Sequence, residues 1–256
     1  MEYAPLKTET KPAVSAPFVC YVILVCLGPL KLPAYAQAPT TTAIGEDQIF
    51  QELVRRNQIR NDELREYTAN RAYRVSDPRG KIHAAKQGRM EFHAPDVKRF
   101  TTTGEEGSGI VRRLALNPLI SSEIKAAAGK DHHDSAITPA NYRLKLLGEE
   151  VVRNYSCYVL RATPTRIDKY LFDGKVWVDK QDFAVVRIEG HPAASLSFWI
   201  KRADFVRDYQ RVDGFWLPHR DETVVQVRIY GRKVLTIDHQ NYTLNGNPAT
   251  ETAAAR

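Results

Sequence analysis

Apolar residues along the chain follow two different periods, and the change from one to the other divides the sequence. Over residues 46–64 the apolar side chains recur at helical spacing, with Ile49, Phe50 and Leu53 on one side, which predicts an amphipathic helix. From Tyr67 onward the spacing changes to a period of two, as in strands that bury one face. The sequence therefore predicts one N-terminal helix followed by a chain made mostly of strands.

The predicted strands follow one another with turns between them rather than helices. Turn signals separate many of them, including Asp213 with Gly214 and Gly231 with Arg232. Consecutive strands of this kind favour an antiparallel meander or open barrel, here of about 9–11 strands, over a parallel sheet. The predicted strands span residues 67–75, 86–94, 97–103, 142–149, 155–163, 168–179, 183–190, 194–201, 203–212, 215–229 and 233–243.

One helical segment interrupts the strands between about Gly107 and Gly129. Asn117 and Pro118 have the preferences of a helix N-cap and a first helical residue, and Gly129 offers a C-terminal stop. Gly107 and Gly109 precede the segment and would allow it to move as a hinged cover. The predicted fold class is therefore mainly β, of the α+β type, with a strongly curved antiparallel sheet covered by the N-terminal helix and this helical insertion.

The first 36 residues have the organisation of a secretory signal peptide. Lys7 and Lys11 precede an apolar run at residues 16–30, and an A-x-A cleavage pattern follows at residues 34–36. The run is shorter than the roughly 20 residues of a membrane span, so an uncleaved anchor is the weaker alternative. We therefore predict export with cleavage after Ala36. The remaining chain divides into a linker at 37–45, one domain at 46–245 and a disordered tail at 246–256.

Charge and cysteine content narrow the predicted partners. The chain carries a formal charge of +7, and +6 would remain after cleavage because residues 1–36 hold three Lys and two Glu. Such an excess favours anionic headgroups or surfaces, but Lys and Arg form no dense block, so nucleic acid is not a predicted partner.

Cleavage would leave Cys157 as the single cysteine. Its alternating context predicts a small core residue, with a thiol nucleophile as the alternative.

Three strands are apolar on both faces and together contain all three tryptophans. The consecutive apolar residues lie at 176–178, 198–200 and 215–217. A sheet with two apolar faces needs cover on both sides, or a ligand on one of them. The two helical segments are short for a sheet of this width. The pattern therefore indicates a candidate lipid-sized cavity, and a solid core with an aromatic girdle is the alternative.

The stretch "YLFDGKVWVDKQDFAVVRIEG" at residues 170–190 carries four carboxylates, Asp173, Asp179, Asp182 and Glu189. Asp179 and Asp182 bracket a turn, where Asp side chains bond the local backbone. The Asp at 173 precedes a glycine and indicates a bulge or kink. A general acid and base would have to converge on one pocket, and this spacing does not require that. We predict no catalytic residues here, and a hydrolase working in the same cleft is the alternative.

The histidines and glycines do not indicate a metal or phosphate site more strongly than the carboxylates indicate a catalytic one. His132, His133 and Asp134 are candidate metal ligands, but adjacent histidines in a polar segment are more typical of a solvated loop. The pair Gly107 and Gly109 lacks the third glycine of a phosphate-cradling loop. The sequence predicts neither a metal nor a cofactor.

The C-terminal half resembles a known family. The stretch at residues 170–190, followed by "DYQRVDGFWLPHRDET" and "VLTIDHQNY", is similar to the LolA/LolB-like outer-membrane lipoprotein-sorting proteins of the periplasm. The resemblance implies an antiparallel half-barrel closed by helices around a cavity for acyl chains. It also implies a non-enzymatic carrier of lipids or lipoprotein acyl chains, with membrane-associated donor and acceptor proteins as possible partners. An envelope-stress sensor that uses the same cavity is the alternative.

Six residues are the predicted lipid-binding residues. Trp177, Phe198, Trp199 and Trp216 are expected to line or border the cavity. Because successive strand residues face opposite sides, one of Phe198 and Trp199 should face the cavity and the other should not. Arg112 and Arg113, beside the predicted hinge, complete the set as candidates for holding an anionic headgroup at the cavity mouth.

Overall fold

The computed structural model describes residues 44–127 and 136–248. The predicted signal peptide, Gly129, and the candidate metal ligands His132, His133 and Asp134 lie outside the described residues. Most of the predicted linker and tail lies outside them as well.

The described chain contains helices near its N-terminus and in one insertion, and strands elsewhere. The helix α1 spans Glu46–Glu63, and the helical insertion consists of α2 (Gly109–Val111), a π-helical turn (Arg112–Leu116) and α3 (Asn117–Ala127). The strands are β1 (Glu66–Ser76), β2 (Ile82–His93), β3 (Val97–Gly107), β4 (Tyr142–Val152), β5 (Tyr155–Pro164), β6 (Phe172–Asp179), β7 (Val185–Pro192), β8 (Ile200–Val212), β9 (Phe215–Val227), β10 (Gly231–Leu244) and β11 (Asn247–Pro248).

All strands belong to one open, curved sheet. Its order is β3-β2-β1-β10-β9-β8-β7-β6-β5-β4, every neighbouring pair is antiparallel, and β11 adds to β10. Because β3 and β4 are the two edge strands, the chain segment that contains the helical insertion runs from one edge of the sheet to the other. The predicted fold class, a curved antiparallel half-barrel with helices on it, is confirmed.

Helix α1 covers one part of the inner face of the sheet. Glu46 and Asp47 in its first turn favour the helix N-terminus electrostatically. Ile49 and Leu53 are fully buried against strands β4–β7, where Val176 and Val178 are among their neighbours. Glu46 also accepts a hydrogen bond from the backbone N–H of residue 146 in the edge strand β4, at 3.1 Å. We call the face of the sheet that carries these contacts the inner face.

The helical insertion covers another part of the inner face and differs in detail from the prediction. Leu116 and Ile120 pack on Tyr73 and on their neighbours in β1, β2 and β10. Asn117 is helical and continues the insertion, so its predicted N-cap role is wrong. The cap is Ser108, whose Oγ accepts a hydrogen bond from the N–H of residue 111, because the helix already begins at the glycine after Ser108.

The predicted strand at residues 194–201 is wrong over most of its length. Residues 193–199 form a loop, and β8 begins only at Ile200. The ladder between β7 and β8 joins residues 187–190 to residues 205–208, so the loop lies beyond it and has no strand partner there. Two of the predicted lipid-binding residues, Phe198 and Trp199, lie in this loop and are exposed.

Candidate functional site

A large cavity lies between the inner face of the sheet and the helices. Its volume is about 1600 Å³, which exceeds the roughly 300–1,000 Å³ of typical small-molecule pockets. Most of its lining is apolar. The strands contribute Val75, Phe172, Val185, Ile188, Ala203, Phe205, Val225, Val227 and Leu235, and the helices contribute Ile59, Ile110, Val111, Leu114, Ala115 and Leu119.

Basic groups outnumber acidic groups in the cavity lining. The acidic residues are Glu63 and Asp213. The basic and imidazole side chains are Arg56, Arg60, His83, Lys169, Arg207 and Lys233. The cavity therefore combines an apolar wall with an excess of positive charge, which suits a ligand that has both a hydrocarbon part and an anionic part.

A charged group lies on the apolar inner face itself. Arg207 in β8 and Asp221 in β9 are cross-strand partners and form an ion pair. His239 Nε2 lies 3.1 Å from Asp221 Oδ2, and both residues are buried. Arg207 lines the cavity with 46% of its side chain accessible. The guanidinium therefore presents a cation to the cavity while its carboxylate partner stays buried.

The electrostatics of this group follow from burial and pairing. Burial alone would raise the pKa of Asp221, but Arg207 and His239 outweigh it and hold that pKa well below its usual range. Asp221 in turn raises the pKa of Arg207, although burial opposes this. Burial lowers the pKa of His239, so its imidazole is neutral at neutral pH. Arg207 and Asp221 are therefore both charged at neutral pH.

A second buried ion pair fastens the helical insertion to the sheet. Glu123 in α3 pairs with Arg71 in β1, whose side chain is only 2% accessible. Tyr73 Oη donates to Glu123 Oε2 at 3.2 Å, and Lys98 Nζ lies 3.5 Å from Glu123 Oε1. Burial alone would raise the pKa of Glu123, but Arg71 and Lys98 lower it to about 2. The cover over the cavity is thus held by charge as well as by packing.

Glu123→Gln is expected to make stability less dependent on acid pH. Folding lowers the pKa of Glu123 from 4.5 to about 2, so its contribution, on the order of 3 kcal/mol, is present above pH 4.5 and lost as the pH falls toward 2. Gln keeps the shape without the titrating charge. Urea unfolding from neutral pH to about pH 3 measures the difference between parent and variant.

Glu222→Gln is the matched control for that experiment. Glu222 in β9 is an exposed carboxylate, and its ion pair with Arg220, at 3.5 Å, joins two side chains that are each 46% accessible. Exposed pairs contribute little, so this variant should follow the parent at every pH. Equal curves for the Glu123 variant and the parent would show that the buried pair does not stabilise the cover.

The structure brings two of the predicted lipid-binding residues to the cavity. Trp199 and Trp216 both line it. Trp216 is 5% exposed, and its Nε1 donates to Asp182 Oδ2 at 2.9 Å. Trp199 is 55% exposed at the mouth, while the neighbouring Phe198 is 72% exposed and lies outside the lining.

The other predicted residues lie outside the cavity lining. Trp177 packs with Cys157 on the face opposite to Val176 and Val178, and its Nε1 donates to Glu150 at 2.8 Å. Arg112 donates to the carbonyls of residues 106 and 107, at 2.9 and 2.8 Å. Arg113 is exposed on the π-helical turn. These placements assign no ligand contact to the three residues.

The backbone at Gly107 is packed closely against β2, more closely than a hinge requires. Its φ is +72°, and a Cβ there would lie 2.4 Å from the carbonyl oxygen of His83. Both facts favour glycine at the point where β3 ends beside β2. Gly109 has open space by comparison, with only an Arg112 nitrogen 3.7 Å from an added Cβ. The predicted hinge is untested.

The four carboxylates of residues 170–190 have structural partners, and Asp182 is the acceptor for Trp216 described above. Asp179 Oδ2 accepts hydrogen bonds from the N–H groups of residues 181 and 182 at 3.0 and 2.7 Å, which confirms the predicted turn. Asp173 pairs with an arginine of β5, and Glu189 pairs with an arginine two residues before it. The predicted bulge at Gly174 is wrong, because Gly174 lies opposite Gly190 in regular register, where the strands approach closely.

Cys157 is fully buried, as the alternation predicts. Burial raises the pKa of its thiol to about 11, and the charge of Asp179 acts in the same direction. A thiol held neutral in this way is a poor nucleophile, so Cys157 acts as a core residue. Within residues 44–127 and 136–248, no group of three or more His, Cys, Asp or Glu side chains is arranged to hold a metal.

The sequence patterns did not identify the charged group on the inner face. The signal was present in β8, where alternation places Ala203, Phe205 and Arg207 on one face. A single Arg in an alternating strand usually faces solvent, so the pattern becomes informative only when the strand beside it presents Asp221.

Comparisons with known proteins give similarity without a close relative. A family model described as "Uncharacterized protein" matches residues 128–245, which is less than half of the chain. No curated protein matches the chain. In the part of the chain that the structure describes, no helix has the length and apolar character needed to cross a membrane.

Several solved structures match over most of their length. A DUF1329 family protein from Desulfovibrio piger is 16% identical, with 78% of this chain and 92% of that chain covered, and a TM-score of 0.42. A domain assigned to the outer membrane lipoprotein-sorting proteins, from Vibrio parahaemolyticus, is 15% identical, with coverages of 76% and 91% and a TM-score of 0.44. A LolA superfamily protein from Nitrosomonas europaea is 15% identical, with coverages of 80% and 96% and a TM-score of 0.35.

The matches include proteins of the superfamily that the sequence resembles.

Proposed function

We propose that this chain is a non-enzymatic protein of the periplasm that binds the acyl chains of lipids or lipoproteins and carries them within the cell envelope. The observation that supports the proposal most strongly is the cavity of about 1600 Å³ with a mainly apolar lining. Export would follow from the predicted signal peptide at residues 1–36.

Apolar burial supplies the driving force for such binding. Each methylene group transferred from water to an apolar wall contributes about 0.8 kcal/mol. The inner face presents aliphatic and aromatic side chains from six strands, and the helices complete the enclosure. A chain of ordinary length could therefore be held without any covalent chemistry or specific polar contact.

Charge on the cavity wall supports an anionic amphiphile as the ligand. Arg207 presents a guanidinium on the inner face, and Lys169 and Lys233 are further cations of the lining. A carboxylate or phosphate group at one of them would gain a charge-assisted hydrogen bond. Uncharged acyl compounds should bind through the apolar wall alone and therefore more weakly.

A titration with a doxyl-labelled fatty acid tests the proposal. The label quenches tryptophan emission only at short range, so a ligand in the cavity should quench Trp199, which lines it and is 55% exposed, more than Trp177, which lies outside the lining. Saturable quenching is expected in the parent, with most of it retained in Trp177→Phe and a clear reduction in Trp199→Phe. No saturable quenching in the parent would refute acyl-chain binding.

A further inference from the structure

The most exposed large apolar side chains of the cavity lie together at its open end. Six cavity-lining residues are between 47% and 73% exposed: Ile110, Leu114, Leu196, Trp199, Ile229 and Tyr230. Phe198, at 72%, lies next to Trp199. Soluble proteins scatter single exposed apolar residues, but a contiguous set of this kind marks an interaction surface. We name this set, with Phe198, the mouth surface.

Hydrogen bonds join the two loops of the mouth surface into one unit. The backbone N–H of Arg228 donates to the carbonyl oxygen of Trp199 at 2.9 Å, and its Nε donates to the carbonyl oxygen of Phe198 at 2.5 Å. The Arg228 guanidinium also lies 4.6 Å from the centre of the Phe198 ring. The loop at 193–199 and the turn at 228–230 therefore present their aromatic side chains together.

The segments that carry the mouth surface are basic and contain no acidic residue. Residues 108–119, 193–202 and 226–235 hold no Asp or Glu. They hold seven cations: Arg112, Arg113, Lys201, Arg202, Arg228, Arg232 and Lys233. Arg112 is paired with Glu105 and Arg202 with Asp204, both outside these segments. Among the described residues, the other five have no carboxylate within ion-pair distance.

We propose that the mouth surface docks on an anionic lipid bilayer. Trp and Tyr side chains favour the boundary between headgroups and hydrocarbon, and Lys and Arg are attracted to anionic headgroups. The bilayer is favoured over a protein partner because the segments carry cations and no carboxylate, which complements a uniformly anionic lipid surface.

Docking in this orientation would place the open end of the cavity against the lipid. An acyl chain could then pass between membrane and cavity without crossing water. This purpose rests on the proposed acyl-chain binding, but the docking itself does not, and its test uses lipid vesicles without any added ligand.

Flotation with vesicles tests the docking directly. The parent should float with vesicles of phosphatidylglycerol and phosphatidylcholine and remain behind with phosphatidylcholine alone. Trp199 is 55% exposed whereas Trp177 and Trp216 are each 5% exposed, so a blue shift of tryptophan emission on binding would report Trp199. Equal flotation with both kinds of vesicle, or none with either, would overturn the proposal.

Matched variants locate the surface. Phe198→Ser with Ile229→Ser should reduce partitioning about tenfold, since each removes apolar area that would be buried in the membrane. Val151→Ser with Ile167→Ser removes side chains that are 72% and 87% exposed but lie outside the cavity lining, and should leave partitioning unchanged. Equal losses in both variants would contradict docking through the mouth.

Charge reversal separates docking from acyl-chain binding. Lys201→Glu with Arg232→Glu changes exposed residues outside the cavity lining and should abolish flotation while doxyl-fatty-acid quenching continues as in the parent. Arg143→Glu with Lys145→Glu, on the edge strand β4, is the control for net charge and should still float. If the parent ignored pure lipid but bound vesicles made from envelope membranes with their proteins, the surface would belong to a protein partner and the proposal would fail.

Discussion

The Asp221→Asn variant is expected to lose about 3 kcal/mol of unfolding free energy. The substitution removes the carboxylate that pairs with Arg207 and that also lies against the buried His239. Removing one partner of a buried ion pair costs about 3–5 kcal/mol, and the lower end applies because the cavity gives Arg207 access to water. Denaturant unfolding followed by tryptophan emission measures the loss.

Asp238→Asn is the matched control for this prediction. Asp238 likewise pairs with two basic groups, Arg74 and Arg220, but on the outer face both are open to water, with side chains 36% and 46% accessible, whereas the His239 side chain beside Asp221 is only 3% accessible. Exposed pairs contribute about 0–1 kcal/mol, so this variant should remain close to the parent. Equal losses in the two variants would contradict a special role for the charged group on the inner face.

Val225→Trp is expected to weaken the binding of a fluorescent acyl probe by at least about tenfold. Val225 lines the cavity, so the larger side chain would occupy space that the acyl chain needs. Excluding two methylene groups would cost about 1.6 kcal/mol, which corresponds to slightly more than a factor of ten in Kd. The probe's own emission is the measurement, because the variant adds a tryptophan.

Val224→Trp makes the same chemical change on the opposite face of the same strand. Successive strand residues point to opposite sides, and Val224 lies outside the cavity lining. Its affinity for the probe should therefore match that of the parent. Loss of binding in both variants would mean that the substitution damages the fold, and unchanged binding in Val225→Trp would mean that the probe binds elsewhere.

Alternation in the sequence predicted the faces of the strands better than their register. Val225 and Val227 share the inner face as expected. The same alternation would allow them to lie opposite Leu235 and Ile237, yet Val225 lies opposite Lys233. A period of two decides which face a residue takes, whereas the register depends on the turn, here at residues 228–230, whose geometry the apolar pattern does not contain.

Consecutive apolar residues indicated two buried faces without showing which one faces the cavity. Val176 and Val178 face α1, while Trp177 packs in the cluster that holds Cys157. Each face gains an apolar neighbour, so hydrophobicity alone cannot distinguish them. The size of Trp177 suggested a ligand contact, but a large aromatic side chain stabilises a closed core equally well.

At residues 193–199 the local sequence pattern predicts a strand, but the tertiary context produces a loop. Its aromatic residues have strand preferences, but the chain there lies beyond the ladder that joins β7 and β8. Without a partner strand the segment is left as a loop at the cavity mouth. Because the segment has no partner strand there, its aromatic residues stay exposed and are available for contact with a membrane.

Mass spectrometry of organic extracts tests the central claim, that the cavity holds acyl chains, most directly. The parent, the Val225→Trp variant and the Val224→Trp variant would each be purified from an envelope fraction and extracted with the same solvent. Acyl-chain binding predicts an acyl-bearing lipid in amounts comparable to the protein for the parent and Val224→Trp, and much less for Val225→Trp. Extracts without acyl lipid, or with equal amounts from all three proteins, would contradict it.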